Sequence, residues 1–334
     1  MSSLLTLSPE GLYCPQAEVH IDPVRPVERA VITHGHADHA RAGHGAVLAT
    51  RQTLDIMAIR YGENFCGRAQ EISYGEAVNL GPVAISLHPA GHVLGSAQIL
   101  LEADGQRTVI SGDYKRQEDP TCAPFELVPC DTFVTEATFG LPVFRHPPAR
   151  SEMEKLLTSM ALFPEQTHLV GAYALGKAQR VIAELRAAGF ERTIYLHGAL
   201  ERLTDYYQSQ GVELGPVEAV GSRGKELQGE LVLCPPGQLT DRWARRFGDP
   251  VTAMASGWMR VRARARQRGA ELPLIISDHA DWDDLCRTIL ETGARNIWVT
   301  HGAEEALVHW CEMNGRTARP LNMIGYDDGE EGAS

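Results

Sequence analysis

Short apolar, β-branched runs recur along the chain, and most stop at a polar residue followed by a turn. Glu18-Val19-His20-Ile21 stops at Asp22, and Val31-Ile32-Thr33 at His34. Val83-Ala84-Ile85-Ser86-Leu87 leads to Gly91-His92, and Thr108-Val109-Ile110-Ser111 to Gly112-Asp113. Thr132-Phe133-Val134-Thr135 stops at Glu136, Leu274-Ile275-Ile276-Ser277 at Asp278-His279, and Asn296-Ile297-Trp298-Val299-Thr300 at His301. Runs of this length bounded by Gly and Pro read as buried strands. Residues at the carboxyl ends of neighbouring strands can share one crevice, so side chains distant in sequence can build one site. Helices are predicted between the strands. One covers 51–60, capped by Thr50, and one covers 151–162, with Ser151 and Glu154 at capping-box spacing. Others cover 175–188, closed by Gly189, and 282–291, capped by Asp281 and ending near Gly293.

The middle of the chain has its own strand–helix alternation: Leu169-Val170-Gly171, a helix holding Lys177, then Thr193-Ile194-Tyr195-Leu196. It separates Glu136 from His279, which belong to the first pattern. This predicts two α/β domains, one formed by 1–145 plus 270–334 and a second, 146–269, inserted into it. Pro142, Pro147 and Pro148 mark the left boundary.

Composition narrows the setting. The 334 residues are 43% hydrophobic and 22% charged, ordinary globular material. No apolar run approaches the roughly 20 residues of a membrane span, and the start, Met1-Ser2-Ser3-Leu4, has no basic leader. The seven cysteines are scattered and never spaced C-x-x-C. They read as reduced thiols of a cytoplasmic protein, so any metal must be held by His and Asp. The net charge of −12 by itself disfavours a polyanionic partner. Charge is local, however: arginines alternate at 260, 262, 264, 266 and 268, while Asp327-Asp328-Gly329-Glu330-Glu331 reads as an acidic, disordered tail.

The densest chemistry is His34-Gly35-His36-Ala37-Asp38-His39, four candidate ligands directly after an apolar run. Zinc or manganese takes neutral imidazole nitrogen and carboxylate oxygen. In extended backbone His34 and His36 face one side and would share an ion, completed by His92. Asp38 and His39, at the start of a helix, would address a second ion, completed by His301. Asp113 would bridge both. Two ions roughly 3.5–4 Å apart can activate a shared water and steady both oxygens of an in-line displacement. Asp22 reads either as an orienting partner of a ligand histidine or as a turn cap before Pro23. Isolated histidines such as His88, His197 and His309 read as ordinary.

The ligand order resembles the metallo-β-lactamase fold: His34-x-His36-x-Asp38-His39, then His92, then Asp113, with Asp22 matching that fold's first aspartate. The resemblance implies an αβ/βα sandwich with a dimetal site at one edge. Thr135-Glu136-Ala137-Thr138-Phe139-Gly140, Ser277-Asp278-His279 and Thr300-His301-Gly302 resemble motifs A, B and C of the β-CASP nucleases. The segments 171–179 and 255–259 resemble parts of their inserted α/β cap domain. Gly11-Leu12-Tyr13-Cys14-Pro15, the segments 89–98 and 111–115, and 119–125 are similar to bacterial ligase-associated DNA exonucleases. That likeness implies a DNA repair role beside an ATP-dependent DNA ligase and a helicase.

The expected function is therefore a metal-dependent DNA exonuclease using zinc, or alternatively manganese, with activated hydroxide attacking the phosphate. Asp38, Asp113, Glu136 and His279 would carry the catalysis. His279 would be the general acid, its other ring nitrogen held by Glu136 and kept protonated by that charge. For the phosphate backbone the candidates are Lys177, Ser256, Ser277, Arg260, Arg262 and Arg264. If 260–268 is extended, its arginines share one face and can track phosphates; if helical, they wrap the helix and are merely solvated. Trp258 reads as a base-stacking residue or as core. A β-CASP ribonuclease is the alternative function, since motifs A to C do not separate deoxyribose from ribose. A silent nucleic-acid-binding paralogue is disfavoured because all seven ligand positions are filled, and a small-molecule hydrolase would have no use for the cap or His279.

Overall fold

The computed structural model describes residues 4–267 and 269–323; Arg268 and the acidic tail lie outside the described residues. The chain divides into two compact units, one taking the residues up to Pro142 and from His279 onward, the other Val143–Asp278.

The first unit holds two mixed sheets. One runs, in spatial order, Thr6–Ser8, Gly11–Cys14, Val19–Ile21, Arg29–Val31, His44–Ala49 and Cys66–Glu71. The other runs Thr317–Pro320, Asn296–Gly302, Thr132–Ala137, Gln106–Ile110, Ala97–Ala103, Val83–Pro89 and Ala77–Leu80. Strand alternation sorts their side chains into layers. Ile99, Leu101, Ile110 and Val134 join Leu12, Ile21 and Val31 of the first sheet in one core between the sheets. Their neighbours Leu100, Val109 and Phe133 point the other way and pack with Leu285 and Ile289 of helix Trp282–Glu291 and Leu307 of helix Glu304–Met313. On the far side of the first sheet, Leu54 and Met57 of helix Arg51–Tyr61 cover Ala30, Ile32 and Val47. The order helix, sheet, sheet, helix is the αβ/βα sandwich. Every fully buried Leu or Ile in these layers contributes about 1.5–3 kcal/mol, which explains why strands of three residues persist.

Helix starts follow side-chain chemistry where it is present. Thr50 accepts from Thr53 N at 3.2 Å, and Asp281 from Asp284 N at 3.0 Å. Ser151 does not cap its helix. The helix is Ala149–Leu162, begun at Pro148 with φ −57°, and Ser151 Oγ donates back to Pro148 O at 2.8 Å. The proline ring sets the helical φ before the serine is reached. Helix Lys177–Ala187 also starts later than predicted, because Gly176 turns the chain with φ 84°. No helix begins at Asp38. His39 N and Ala40 N both donate to His36 O, at 3.2 and 2.7 Å, which closes a turn instead.

The second unit has one parallel sheet in the order Val217–Ala219, Ile194–Leu196, Leu231–Cys234, His168–Gly171, Val251–Ala255 and Leu272–Leu274. The strand predicted at 274–277 is thus Leu272–Leu274 and pairs here, with Ala255 opposite Leu274; Ser277 and Asp278 follow beyond its end. The described part of the 260–268 segment is helical, as the 3-10 turn Gly257–Arg260 followed by helix Arg262–Gln267. Its arginines therefore do not share an extended face. Helical spacing turns Ala265 into the core and Arg260, Arg262 and Arg266 to the exposed side, with Arg264 half-buried.

Candidate metal centre

Five strand ends or turns of the first unit deliver the histidine and carboxylate side chains. His34 Nε2, His36, His92 and Asp113 each offer a ligand atom, all lying within 4.8 Å of one another. His36 Nδ1 and His92 Nε2 are 3.0 Å apart. Donors on a tetrahedral ion with bonds of 2.0–2.1 Å stand roughly 3.3 Å apart, so this spacing suits one ion. His34 Nε2 is fully buried without a hydrogen bond, 3.4 Å from Asp113 Oδ2. An orphaned buried imidazole nitrogen is costly unless a cation takes its lone pair. The donor set therefore fits a divalent metal.

Asp113 Oδ2 also lies 3.8 Å from His92 Nε2 and 3.5 Å from His39 Nε2. One oxygen thus stands between the His34–His92 group and the His39 side, where the carboxylate expected to serve both would stand. Asp38 Oδ2 is 3.6 Å from His39 Nε2, and the His301 ring is 5.2 Å from that of His39. The second group is the looser of the two. Its fold position explains this: Glu136 pairs with Thr300 and Ala137 with Gly302, so His301 is the extra residue of a β-bulge, with φ 58°. A bulge re-aims one side chain out of the ladder. Gly302, φ 81°, has to be glycine, since a Cβ would stand 2.3 Å from Ala137 O.

Electrostatics fit the same assignment. Burial drives the His34 imidazole well below its ordinary range and His301 down to about 3, which keeps both in the neutral, ligating form. Burial also opposes a charge on His39, yet Asp113, Asp38 and Asp22 together raise it to about 10. Burial raises Asp113 to about 7. This cluster of carboxylates calls for positive charge.

Asp22, held at φ 44°, is not within the ligand group. Its Oδ1 accepts from Thr33 N at 2.8 Å, and its Oδ2 accepts from both His39 Nδ1 at 2.8 Å and Thr33 Oγ1 at 2.5 Å. Thr33 Oγ1 lies 3.0 Å from His34 Nδ1. A hydroxyl that has given its proton to Asp22 can only accept from the imidazole, so His34 Nδ1 carries the hydrogen and Nε2 the lone pair. One carboxylate thereby sets the tautomer of His39 directly and of His34 through Thr33. Sequence reading missed Thr33, though a hydroxyl beside the first histidine was the available signal. It also missed Arg60, which donates to Gly35 O at 2.8 Å, and Ser96, which accepts from His92 N at 3.1 Å. Thr33→Val should weaken metal binding by roughly 10–100-fold, the usual cost of losing a ligand's outer partner, in a titration against a chromophoric chelator. Thr33→Ser should restore it, and wild-type affinity in the valine variant would remove the relay.

Beside the cluster, Glu136 is fully buried within Thr132–Ala137. His279 Nδ1 donates to Glu136 Oε2 at 2.8 Å, while Tyr114 N donates to Oε1 at 2.7 Å. The His279 ring lies 4.7 Å from that of His92 and edge-on to Phe139 at 6.0 Å. Asp113, Glu136 and His279 form a second group whose ligand atoms lie within 4.8 Å.

The phosphate-contact candidates fare differently. Lys177 is fully buried, with Nζ 3.1 Å from Asp278 Oδ2 and donating to Ile276 O at 3.0 Å. Arg180, also buried, donates to Ser277 O. Lys177 is therefore engaged inside its unit and does not offer an anion site. Ser256 is buried and caps the turn at Trp258 N, and Ser277 is 5% exposed. Trp258 is half-buried, with Arg264 stacked 3.8 Å over its ring and Phe144 edge-on at 5.1 Å, a packed rather than an open face. Arg260 and Arg262 are exposed.

Residues 16–165 match the metallo-beta-lactamase superfamily. The chain is 28% identical over 301 residues to a probable DNA ligase of Opitutus terrae, covering 87% of this chain and 28% of that protein. It is 28% identical over 199 residues to ribonuclease TTHA0252 of Thermus thermophilus, 50% of this chain and 44% of that one. It is 30% identical over 143 residues to endoribonuclease ysh1 of Emericella nidulans, 41% of this chain and 15% of that one. The chain thus spans less than half the length of each of these relatives. A crystal structure of a protein of unknown function from Enterococcus faecalis V583 superposes with TM-score 0.58 at 12% identity, covering 90% of this chain and 80% of that chain, a likeness of fold alone. No described helix is long and apolar enough to cross a membrane.

Proposed function

We propose that this chain, which carries a metallo-β-lactamase domain and is related to β-CASP nucleases, is a metal-dependent exonuclease acting on DNA. The carrying observation is the His279–Glu136 pair beside the His92–Asp113 group. A hydrolase of this fold needs the histidine and aspartate group to act on water; a proton donor beside it suits a poor alkoxide leaving group. His34, His36, His92 and Asp113 would hold one ion, and Asp38, His39, His301 and the shared Asp113 a second. Two divalent ions, when bound, supply Lewis acidity for water and neutralise charge on the phosphate.

The rest of the work falls to the chain's own side chains. Glu136 orients His279 through Nδ1, which leaves Nε2 to hold the proton for the departing oxygen. Tyr114 N fixes the Glu136 carboxylate from its other side. Asp22 and Thr33 present Nε2 of His39 and His34 in the ligating tautomer. DNA is favoured over RNA because the relative matching 87% of the chain is named for DNA ligation. The same match supports a role beside a DNA ligase in repair. The ribonuclease relatives, which match shorter stretches of the chain, favour RNA as the second reading.

End-labelled single-stranded DNA and RNA of one sequence, digested with zinc and with manganese, separate the two. DNA should be shortened progressively from one end. Chelation should stop cleavage and either ion restore it. Preferred cleavage of RNA would overturn the DNA reading, and cleavage indifferent to chelation the metal reading.

A further inference from the structure

We propose that the second unit carries a separate surface for the phosphate backbone of a nucleic-acid strand, built from Arg242, Arg245 and Arg246 together with Arg260, Arg262 and Arg266. The inference rests on the nuclease reading and adds to it a strand-holding surface outside the metal centre.

Charge is the first observation. Residues 143–278 hold 18 basic and 15 acidic side chains, the rest of the chain 13 and 28. Within 242–268 there are eight arginines, no lysine and one acid, Asp249. The chain's net charge of −12 therefore hides a strongly basic segment.

Placement is the second. Ala244 and Phe247 of the turn Ala244–Phe247 share one core with Met259 and Ala265 of the turn and helix that follow Ser256, along with Leu169, Val232 and Met254 of the sheet. Both Arg-bearing segments thus pack on the same side of that sheet. With the apolar residues turned inward, Arg242, Arg245, Arg246, Arg260, Arg262 and Arg266 are exposed.

The third is the missing counter-charge. None of these six pairs with a carboxylate among the described residues. The neighbouring acids are engaged otherwise: Asp241 accepts from Arg242 N at 2.6 Å, Asp249 from Gln166 Nε2 at 3.3 Å, and Glu271 from Thr252 N at 2.9 Å. Arg246 is steadied by Trp243, 5.3 Å from its ring, and by Gly221 O at 3.0 Å. Guanidinium groups match phosphate oxygens with paired, planar N–H donors. A protein partner would instead require an apolar centre to the patch, and here Ala244, Phe247, Met259 and Ala265 are buried while the half-buried Trp243 and Trp258 carry Arg246 and Arg264 over their rings.

The test is binding of fluorescein-labelled oligothymidylate to the full chain in chelator, followed by anisotropy over a range of salt. Each phosphate contact on a single strand contributes about 0.7 to the slope of log affinity against log salt. The variant Arg242→Ala/Arg245→Ala/Arg246→Ala should flatten that slope by about 2, and Arg260→Ala/Arg262→Ala/Arg266→Ala, the second variant should the first fold poorly, by a similar amount. The control Arg150→Ala/Arg192→Ala/Arg223→Ala makes the same change in charge at arginines already paired with Glu154, Glu230 and Glu218, and should leave the slope unchanged. An unchanged slope in both test variants, an equal loss in the control, or equally tight binding of polyglutamate would overturn the surface. Wild-type hydrolysis of bis(p-nitrophenyl) phosphate with metal reports the nuclease reading independently: its absence sinks that reading, whereas its presence beside an unchanged slope sinks the surface alone.

Discussion

Asp113→Ala is expected to abolish phosphodiester cleavage while the chain stays folded. Asp113 Oδ2 lies within 3.4 to 3.8 Å of imidazole nitrogens on His34, His39 and His92. Removing it strips a donor from both halves of the site at once. The loss should therefore exceed the roughly 10–100-fold that follows removal of a ligand's outer partner. Folding should survive for an electrostatic reason: burial raises the Asp113 carboxyl to about 7, so its charge is disfavoured by the fold, not a support of it. Elemental analysis should show metal content falling, with the circular dichroism spectrum unchanged. His36→Ala, at a half-buried ligand position, is the companion variant and should behave alike. Full activity of purified Asp113→Ala would sink the dimetal assignment.

His279→Ala should slow cleavage in proportion to how poor the leaving group is. General acids contribute typically 10²–10⁴-fold. The full loss should fall on DNA, whose leaving oxygen is an alkoxide, and little of it on a p-nitrophenyl ester, whose phenolate departs unaided. Glu136→Gln should move the same way, because Glu136 Oε2 is the acceptor that aims the ring at 2.8 Å. A purely structural His279 would instead lower both substrates by one factor, and an unchanged rate on DNA would remove it from the mechanism.

The two variants probe features that were unequally legible. The dense run 34–39 announces a metal centre locally, because no core calls for so many imidazoles and carboxylates in six residues. Asp113 and His301 needed strand ends to be brought together, a prediction that rests on where apolar runs stop. Thr33 was hidden because its role depends on the direction of one proton between Asp22 and His34. Lys177 was misleading for the opposite reason. A lysine after glycine at a helix start reads as an anion site, but in the fold its ammonium is buried against Asp278. The arginines at 260–268 carried two readings, separated only by backbone conformation.

By itself, then, the sequence determined the layered α/β architecture, through strand-length apolar runs, and the chemical class of the site, through donor types that only a metal needs. Tertiary structure alone decided which donors come within reach of one another, which histidine nitrogen carries the lone pair, and which charges face water. Those properties depend on distances of a few ångströms between strands far apart in the chain. Asp113 Oδ2 stands between two histidine groups because parallel strands end at one edge, and His301 is re-aimed because a bulge adds one residue to its strand.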